Sequence, residues 1–296
     1  MQRLKPDPVP AIHPCPEHLA DARLAAVYAD TKATLAVPWM GVVTMAFAHY
    51  RDFYGVLWGG LREICGTAPF VDACRDLRAY VEARSEGLHP AHLDRELTVL
   101  GYTEPELARI RDLIEVFSAG NMPYLLIATI ARLLLEGNAF TTAATSGALE
   151  GATLRVSPAA PLTLIEPHHA DSQTAALYAD IRSTLGLPFV NTDYRALARW
   201  PSYFALAWRD LRPRVGTPAY QEIVGAIHGR AVDLASGLRL PEGPTAAAVR
   251  AAADQDASTA EVLAVVRLFQ WLLPGLVTNV AVFRGQMVER QDSRIQ

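Results

Sequence analysis

The sequence predicts an all-α protein: two homologous helical repeats fused in one chain and related by a pseudo-two-fold axis, with a pocket between them. Three observations carry this expectation. No run alternates apolar and polar residues in the period of two that a half-buried strand requires, while apolar residues recur at three- and four-residue spacing. The stretch Leu35 to Met45 returns as Leu185 to Arg195, an offset of 150 residues (Pro38 to Pro188). Such a repeat is far longer than a solenoid unit and points to a duplicated domain. Two like halves with apolar faces then pack as the subunits of a symmetric dimer do, and the cleft between them is the natural pocket.

Taken in order, residues 1–15 form an extended amino-terminal arm, because Pro6, Pro8, Pro10 and Pro14 disfavour a helix. The first repeat spans 16–137. Its first helix runs from about Ala20, with Leu24, Val27, Tyr28 and Leu35 on one face, and Pro38 ends it. A second helix is predicted from about Met40 to Glu63, rich in aromatics. Thr67 caps a third, with Pro69 in its first turn and the body over Phe70 to Ala83. Thr103-Glu-Pro-Glu106 supplies a capping box for a fourth. Ser118 to Pro123 is expected to interrupt that helix, which resumes from Tyr124 to Glu136. Residues 138–161 turn to Ala, Thr, Ser, Gly and Pro and read as a linker. The second repeat, 162–296, restarts the pattern: His18, Asp21, Tyr28, Asp30, Pro38, Trp58 and Arg62 recur as His168, Asp171, Tyr178, Asp180, Pro188, Trp208 and Arg212. Late in each half the register slips to 155, setting Gly275-Leu276 against Gly120-Asn121.

Composition narrows the function classes. Hydrophobic residues are 51% and charged residues 20%, as in a globular domain able to bury a core. A net charge of −4 gives no electrostatic reason to expect nucleic acid. The apolar runs fall short of a membrane span, and Tyr124 to Leu135 is interrupted by Arg132. The first residues lack the apolar core of a secretory signal. Cys15, Cys65 and Cys74 form no C-x-x-C pair, so the expected setting is a reducing cytoplasm. No phosphate-binding glycine loop and no H-E-x-x-H motif occurs. His168-His169 is the only adjacent histidine pair, and its partial recurrence at His18 favours a structural role, so no metal is expected.

What remains is the difference between the halves. Asn191, Thr192 and Asp193 stand where the first copy has Gly41, Val42 and Val43. Reciprocally, Asn121 stands opposite Leu276, and Tyr124 opposite Asn279. A duplicated fold needs its packing residues in both copies, whereas a site near the axis can specialise one. Read singly, Asp193 and Asn121 also fit helix caps, and Trp39 fits a core position. Read together, among Trp39, Phe189, Tyr194 and Tyr124, they suit an ionised carboxylate beside an amide. Burial makes such a carboxylate more basic, and without an acid partner it suits activating water against a leaving group that departs as a stable anion.

These residues resemble the group I (DL-type) 2-haloacid dehalogenases. Asn191-Thr192-Asp193-Tyr194-Arg195-Ala196, Val37-Pro38-Trp39, and Gly120-Asn121 with Tyr124 look like that family's active-site stretches. The likeness covers nearly the whole chain apart from the arm. It implies an all-helical fused repeat, a homodimer, that hydrolyses short 2-haloalkanoic acids of both configurations to 2-hydroxy acids with inversion. It implies no cofactor and no metal. Asp193 would deprotonate a water that attacks Cα directly, without an enzyme ester, and Asn121 would orient that water. Trp39, Tyr124 and Thr192 would line the substrate pocket, with backbone N–H groups near Thr192 and Asp193 facing the substrate carboxylate. Phe269, Leu272 and Leu276 are added to the wall from their spacing on the last helix. A non-catalytic helical protein that binds a small molecule or a partner is the competing reading.

Overall fold

The computed structural model describes residues 3–141, 162–239 and 244–288. Most of the expected linker therefore lies outside the described residues. Twelve α-helices and no strand are found among those described. In chain order they are α1 (Ala22–Leu35), α2 (Val42–Phe47), α3 (Arg51–Cys65), α4 (Ala68–Ser85), α5 (Asp94–Val99) and α6 (Glu104–Leu135). Then follow α7 (Ser172–Leu185), α8 (Thr192–Leu197), α9 (Pro201–Leu211), α10 (Pro218–Gly237), α11 (Ala246–Asp256) and α12 (Thr259–Gln286).

The second set repeats the first in its local chemistry. Asp21 accepts from the Leu24 N–H at the start of α1, and Asp171 from the Thr174 N–H at the start of α7. Each capping side chain satisfies one of the donors a helix start leaves unpaired. The Trp58 indole donates to Asp30 at 2.8 Å, and the Trp208 indole to Asp180 at 2.7 Å. Tyr28 donates to the Cys15 carbonyl and Tyr178 to the Ile165 carbonyl, both at 2.8 Å.

Two long apolar helices, α6 and α12, pack along each other and form the centre of the core. Both are long and apolar enough to cross a membrane, yet their most apolar stretches are largely buried inside the protein. Each reaches across to the short helix of the other half: α6 meets α8, and α12 meets α2. Phe269 of α12 stands edge-on to Phe47 of α2, with ring centroids 5.9 Å apart. This exchange is what brings residues of two distant segments to one place.

Two expectations are corrected. The helix predicted from Met40 to Glu63 is two helices, α2 and α3, broken at Ala48 to Tyr50. The new start is satisfied from the other half, where Asp256 accepts from the N–H groups of Asp52 (3.1 Å) and Phe53 (2.8 Å). The expected interruption at Ser118 to Pro123 does not occur, and α6 continues through Pro123. A proline removes one helical hydrogen bond and crowds the preceding turn. Burial of every residue from Val116 to Ala131 outweighs that cost here. α12 likewise runs through Pro274. The caps at Thr67 and Thr103 stand as expected, the latter as a full capping box.

Candidate active site

Gly186, at φ 64°, closes α7 in the left-handed region, and the chain then runs extended to Asn191. Asn191 occupies the cap position of α8 but makes no capping bond through its side chain. Asp193 is therefore the second residue inside the helix, not its cap. Its carboxylate turns inward to α6, where the Asn121 amide donates to Asp193 Oδ1 at 2.6 Å. Because α6 does not break, Asn121 caps nothing and its side chain is free to cross between the halves. Asp193 is 2% exposed and Asn121 3%.

Burial pushes the Asp193 carboxyl up to about 6, by penalising the charged form. Three weaker effects oppose it: the Asn121 amide, the residue's own backbone N–H, and the charge of Arg195. Arg195 helps little because its guanidinium is already held by both oxygens of Glu166, at 2.8 and 2.7 Å. The result is a carboxylate ionised at neutral pH and more basic than one at the surface.

On the first-half side, Trp39 packs edge-on against Phe117, 4.9 Å between centroids, and lies beside Tyr124. Tyr124 donates to the Trp39 carbonyl at 2.6 Å, which holds the Pro38–Trp39 segment against α6. Gly120 leaves room for the indole: a Cβ there would fall 2.4 Å from Trp39 Cη2. Gly41, opposite Asn191 in the repeat, is small because the Tyr124 ring stands 3.0 Å from where its Cβ would be.

Two openings flank the start of α8. A groove of about 860 Å³ runs between the halves, with Trp39, Met40 and Val42 on one wall and Val190, Thr192 and Arg195 on the other. On the opposite side is a small chamber of about 100 Å³, bounded by Asn191, Tyr194, Leu272, Leu276 and Arg3. Asp193 and Asn121 border neither opening and sit behind the wall that the first residues of α8 make. The Tyr220 hydroxyl donates to Asn279 (2.8 Å), whose amide donates to the Tyr194 hydroxyl (2.9 Å), which stiffens the chamber.

The structure thus brings Asp193 and Asn121 into contact and sets Trp39 and Tyr124 against the same stretch of α6. Thr192 faces the groove, while Leu272 and Leu276 face the chamber. Phe269 borders neither cavity; it is 1% exposed and packs on Phe47 and Phe189. Sequence reasoning did not single out Arg3, Tyr220 or the Arg195–Glu166 pair. Asn191 was visible as the partner of Gly41, but its side chain could not be placed. Among the described residues, no group of three or more His, Cys, Asp or Glu is arranged to hold a metal.

No protein-family profile matches the chain. It is 46% identical over 240 residues to an (R)-2-haloacid dehalogenase from Rhizobium sp. (strain NHG3), covering 78% of this chain and 90% of that protein. It is 27% identical over 233 residues to a configuration-inverting 2-haloacid dehalogenase from Pseudomonas sp. (strain 113), covering 75% of each. The fold superimposes on a solved D-2-haloacid dehalogenase mutant in complex with D-2-CPA with a TM-score of 0.87, at 34% identity, over 97% of this chain and 99% of that one. With the duplicated helices, the buried Asp193–Asn121 pair and these likenesses, the chain belongs to the group I 2-haloacid dehalogenase family.

Proposed function

We propose that the chain hydrolyses short 2-haloalkanoic acids to 2-hydroxyalkanoic acids with inversion, using Asp193 as the base for an attacking water. Family membership makes it a hydrolase of carbon–halogen bonds. The observation that carries the mechanistic reading is the buried contact between the Asp193 carboxylate and the Asn121 amide. In the step proposed, Asp193 takes a proton from water as the water oxygen bonds to Cα from the face opposite the halogen. The carbon–halogen bond breaks, and the halide leaves with its electron pair. Asp193 then returns the proton to solvent. Halide is stable as an anion, so no general acid is required.

Asn121 orients the water and the carboxylate, while Trp39, Tyr124 and Thr192 shape the approach from the first half and from α8. Phe269, Leu272 and Leu276 complete the apolar wall, Phe269 acting from behind it. The stereochemical labels (R) and D on two of the similar proteins support the (R) acid as the faster substrate. The third carries no such label, which keeps turnover of both configurations as the second reading. We extend the proposal to a cofactor-free homodimer in a reducing cytoplasm, supported by three free cysteines, of which Cys65 and Cys74 are buried.

Chloride release from pure (R)- and (S)-2-chloropropionate is the test. Faster release from the (R) acid, giving (S)-lactate, is expected. Asp193→Asn should lower turnover about 10²- to 10⁴-fold, the usual contribution of a general base. Release at the wild-type rate by that variant overturns the assignment. Single turnover with excess enzyme in heavy-oxygen water should place the label in lactate and none in Asp193.

A further inference from the structure

The substrate class proposed above carries a carboxylate, and the residues assigned so far hold no cation free to meet it. Arg195 is tied to Glu166, and the N–H of Asp193 is engaged by its own carboxylate. The chamber beside Asn191 has what the groove lacks. Arg3, on the amino-terminal arm, reaches across the fold to its wall. Its Nε donates to the Trp271 carbonyl at 2.9 Å, its Nη1 to Gln221 Oε1 at 3.2 Å, and its guanidinium lies 5.0 Å from the centre of the Trp271 ring. Lys5 lies 5.3 Å from the same ring, so two cations of the arm clasp one indole.

Arg3 Nη2 points toward Gly275, 3.9 Å from where a Cβ would be, and the Tyr220 hydroxyl is 3.3 Å from that same point. Among the described residues no carboxylate pairs with Arg3. Burial draws its guanidinium down to about 10, which leaves it charged at neutral pH. Below it, Asn191 is 4% exposed, and its Oδ1 is buried without a hydrogen-bond partner. A half-buried cation without a counter-ion and a buried amide without a partner are both costly, and both border a cavity of about 100 Å³. One small carboxylate would satisfy the two together: the guanidinium donates to one oxygen, and the amide, turned to present its N–H₂, donates to the other.

We infer that Arg3, delivered by the amino-terminal arm, anchors the carboxylate of the 2-haloacid in the chamber bounded by Asn191 and Tyr194. This rests on the haloacid reading of the site. It gives the arm a task in binding and places the carboxylate on the flank of α8 adjoining Asp193. Gly275 is small because any side chain there would crowd the guanidinium and the Tyr220 hydroxyl.

The experiment compares wild type, Arg3→Met and Arg3→Lys for chloride release from (R)-2-chloropropionate, with propionate and propionamide as inhibitors. Arg3→Met should raise KM, and the inhibition constant of propionate, about tenfold or more, as loss of a charge-assisted contact does. Its kcat should stay within about threefold of wild type, Arg3→Lys should fall between, and inhibition by propionamide should not change. Gly275→Ala leaves the arm untouched and should also raise KM, which covers the case in which Arg3→Met does not fold. An unchanged KM in both variants, a fall in kcat alone, or weakened inhibition by chloride with KM unchanged overturns the inference. If wild type releases no chloride, the haloacid reading fails. Propionate binding by calorimetry, present in wild type and lost in Arg3→Met, would then still support the anchor, and equal binding would overturn it.

Discussion

A carboxyl that titrates near 6 leaves two separate marks on the protein. On activity, kcat/KM should fall tenfold per pH unit below about pH 6, as Asp193 gains a proton and ceases to be a base. An acid limb near the ordinary carboxylate value would show that Asp193 is not desolvated as described. On stability, the folded state binds the Asp193 proton more tightly than the unfolded chain does, so this group's contribution falls as pH rises from about 4 to about 6. Above that window the buried charge costs the fold on the order of 3 kcal/mol. Asp193→Asn, which keeps an acceptor for Asn121, should therefore raise the thermal midpoint at pH 8 while abolishing activity. A lower midpoint would mean that the carboxylate serves structure. His228 carries the opposite sign: burial lowers it to about 4, so its contribution is present at neutral pH and is lost as pH falls from about 6.5 to 4. The residue-level contrast was legible in the sequence, because the two halves differ at Gly41/Asn191 and Val43/Asp193. Which residue caps α8 was not, since Asn191 and Asp193 are both good caps and only the contact with Asn121 separates them.

At the scale of elements, α6 is the member on which the site depends. It supplies Asn121 to Asp193, Tyr124 to the Trp39 carbonyl, and the Gly120 surface under the indole. Gly120→Ala should displace Trp39 and cost about 1–3 kcal/mol, as overpacking a core does, with activity falling more than stability. Denaturant titration beside chloride release measures both, and a variant with wild-type activity would show that Trp39 does not position the site. The helix itself was predicted in two pieces. Pro123 is a reliable break signal in an exposed helix, but the signal is local, and the packing of α12 and α10 along α6 is not. The reverse error occurred at Ala48 to Tyr50, where the apolar period runs on through a break that Asp256 stabilises from some two hundred residues away.

Across the whole molecule, the halves cap each other. Asp256 receives the N–H of Phe53 at the start of α3, and the Tyr102 hydroxyl receives the N–H of Tyr203 at the start of α9, at 3.1 Å. Phe53 and Tyr203 are 150 residues apart, the same offset that the sequence shows. Asp256→Ala should cost roughly 0.5–2 kcal/mol, the usual value of a lost helix cap, and leave KM unchanged. Loss of activity without loss of stability would assign Asp256 another role.

The amino-acid sequence by itself determined the helical class, the duplication, most helix ends, the family, and the pairing of Asp193 with Asn121. These follow from periodicity, turn chemistry and motif order, which a linear chain displays directly. Only the tertiary structure decided that α6 runs unbroken, that Phe269 backs the wall instead of facing either cavity, and that Arg3 reaches the chamber. Each of these is settled by which distant surface covers a residue, and burial of that kind depends on where the other half folds.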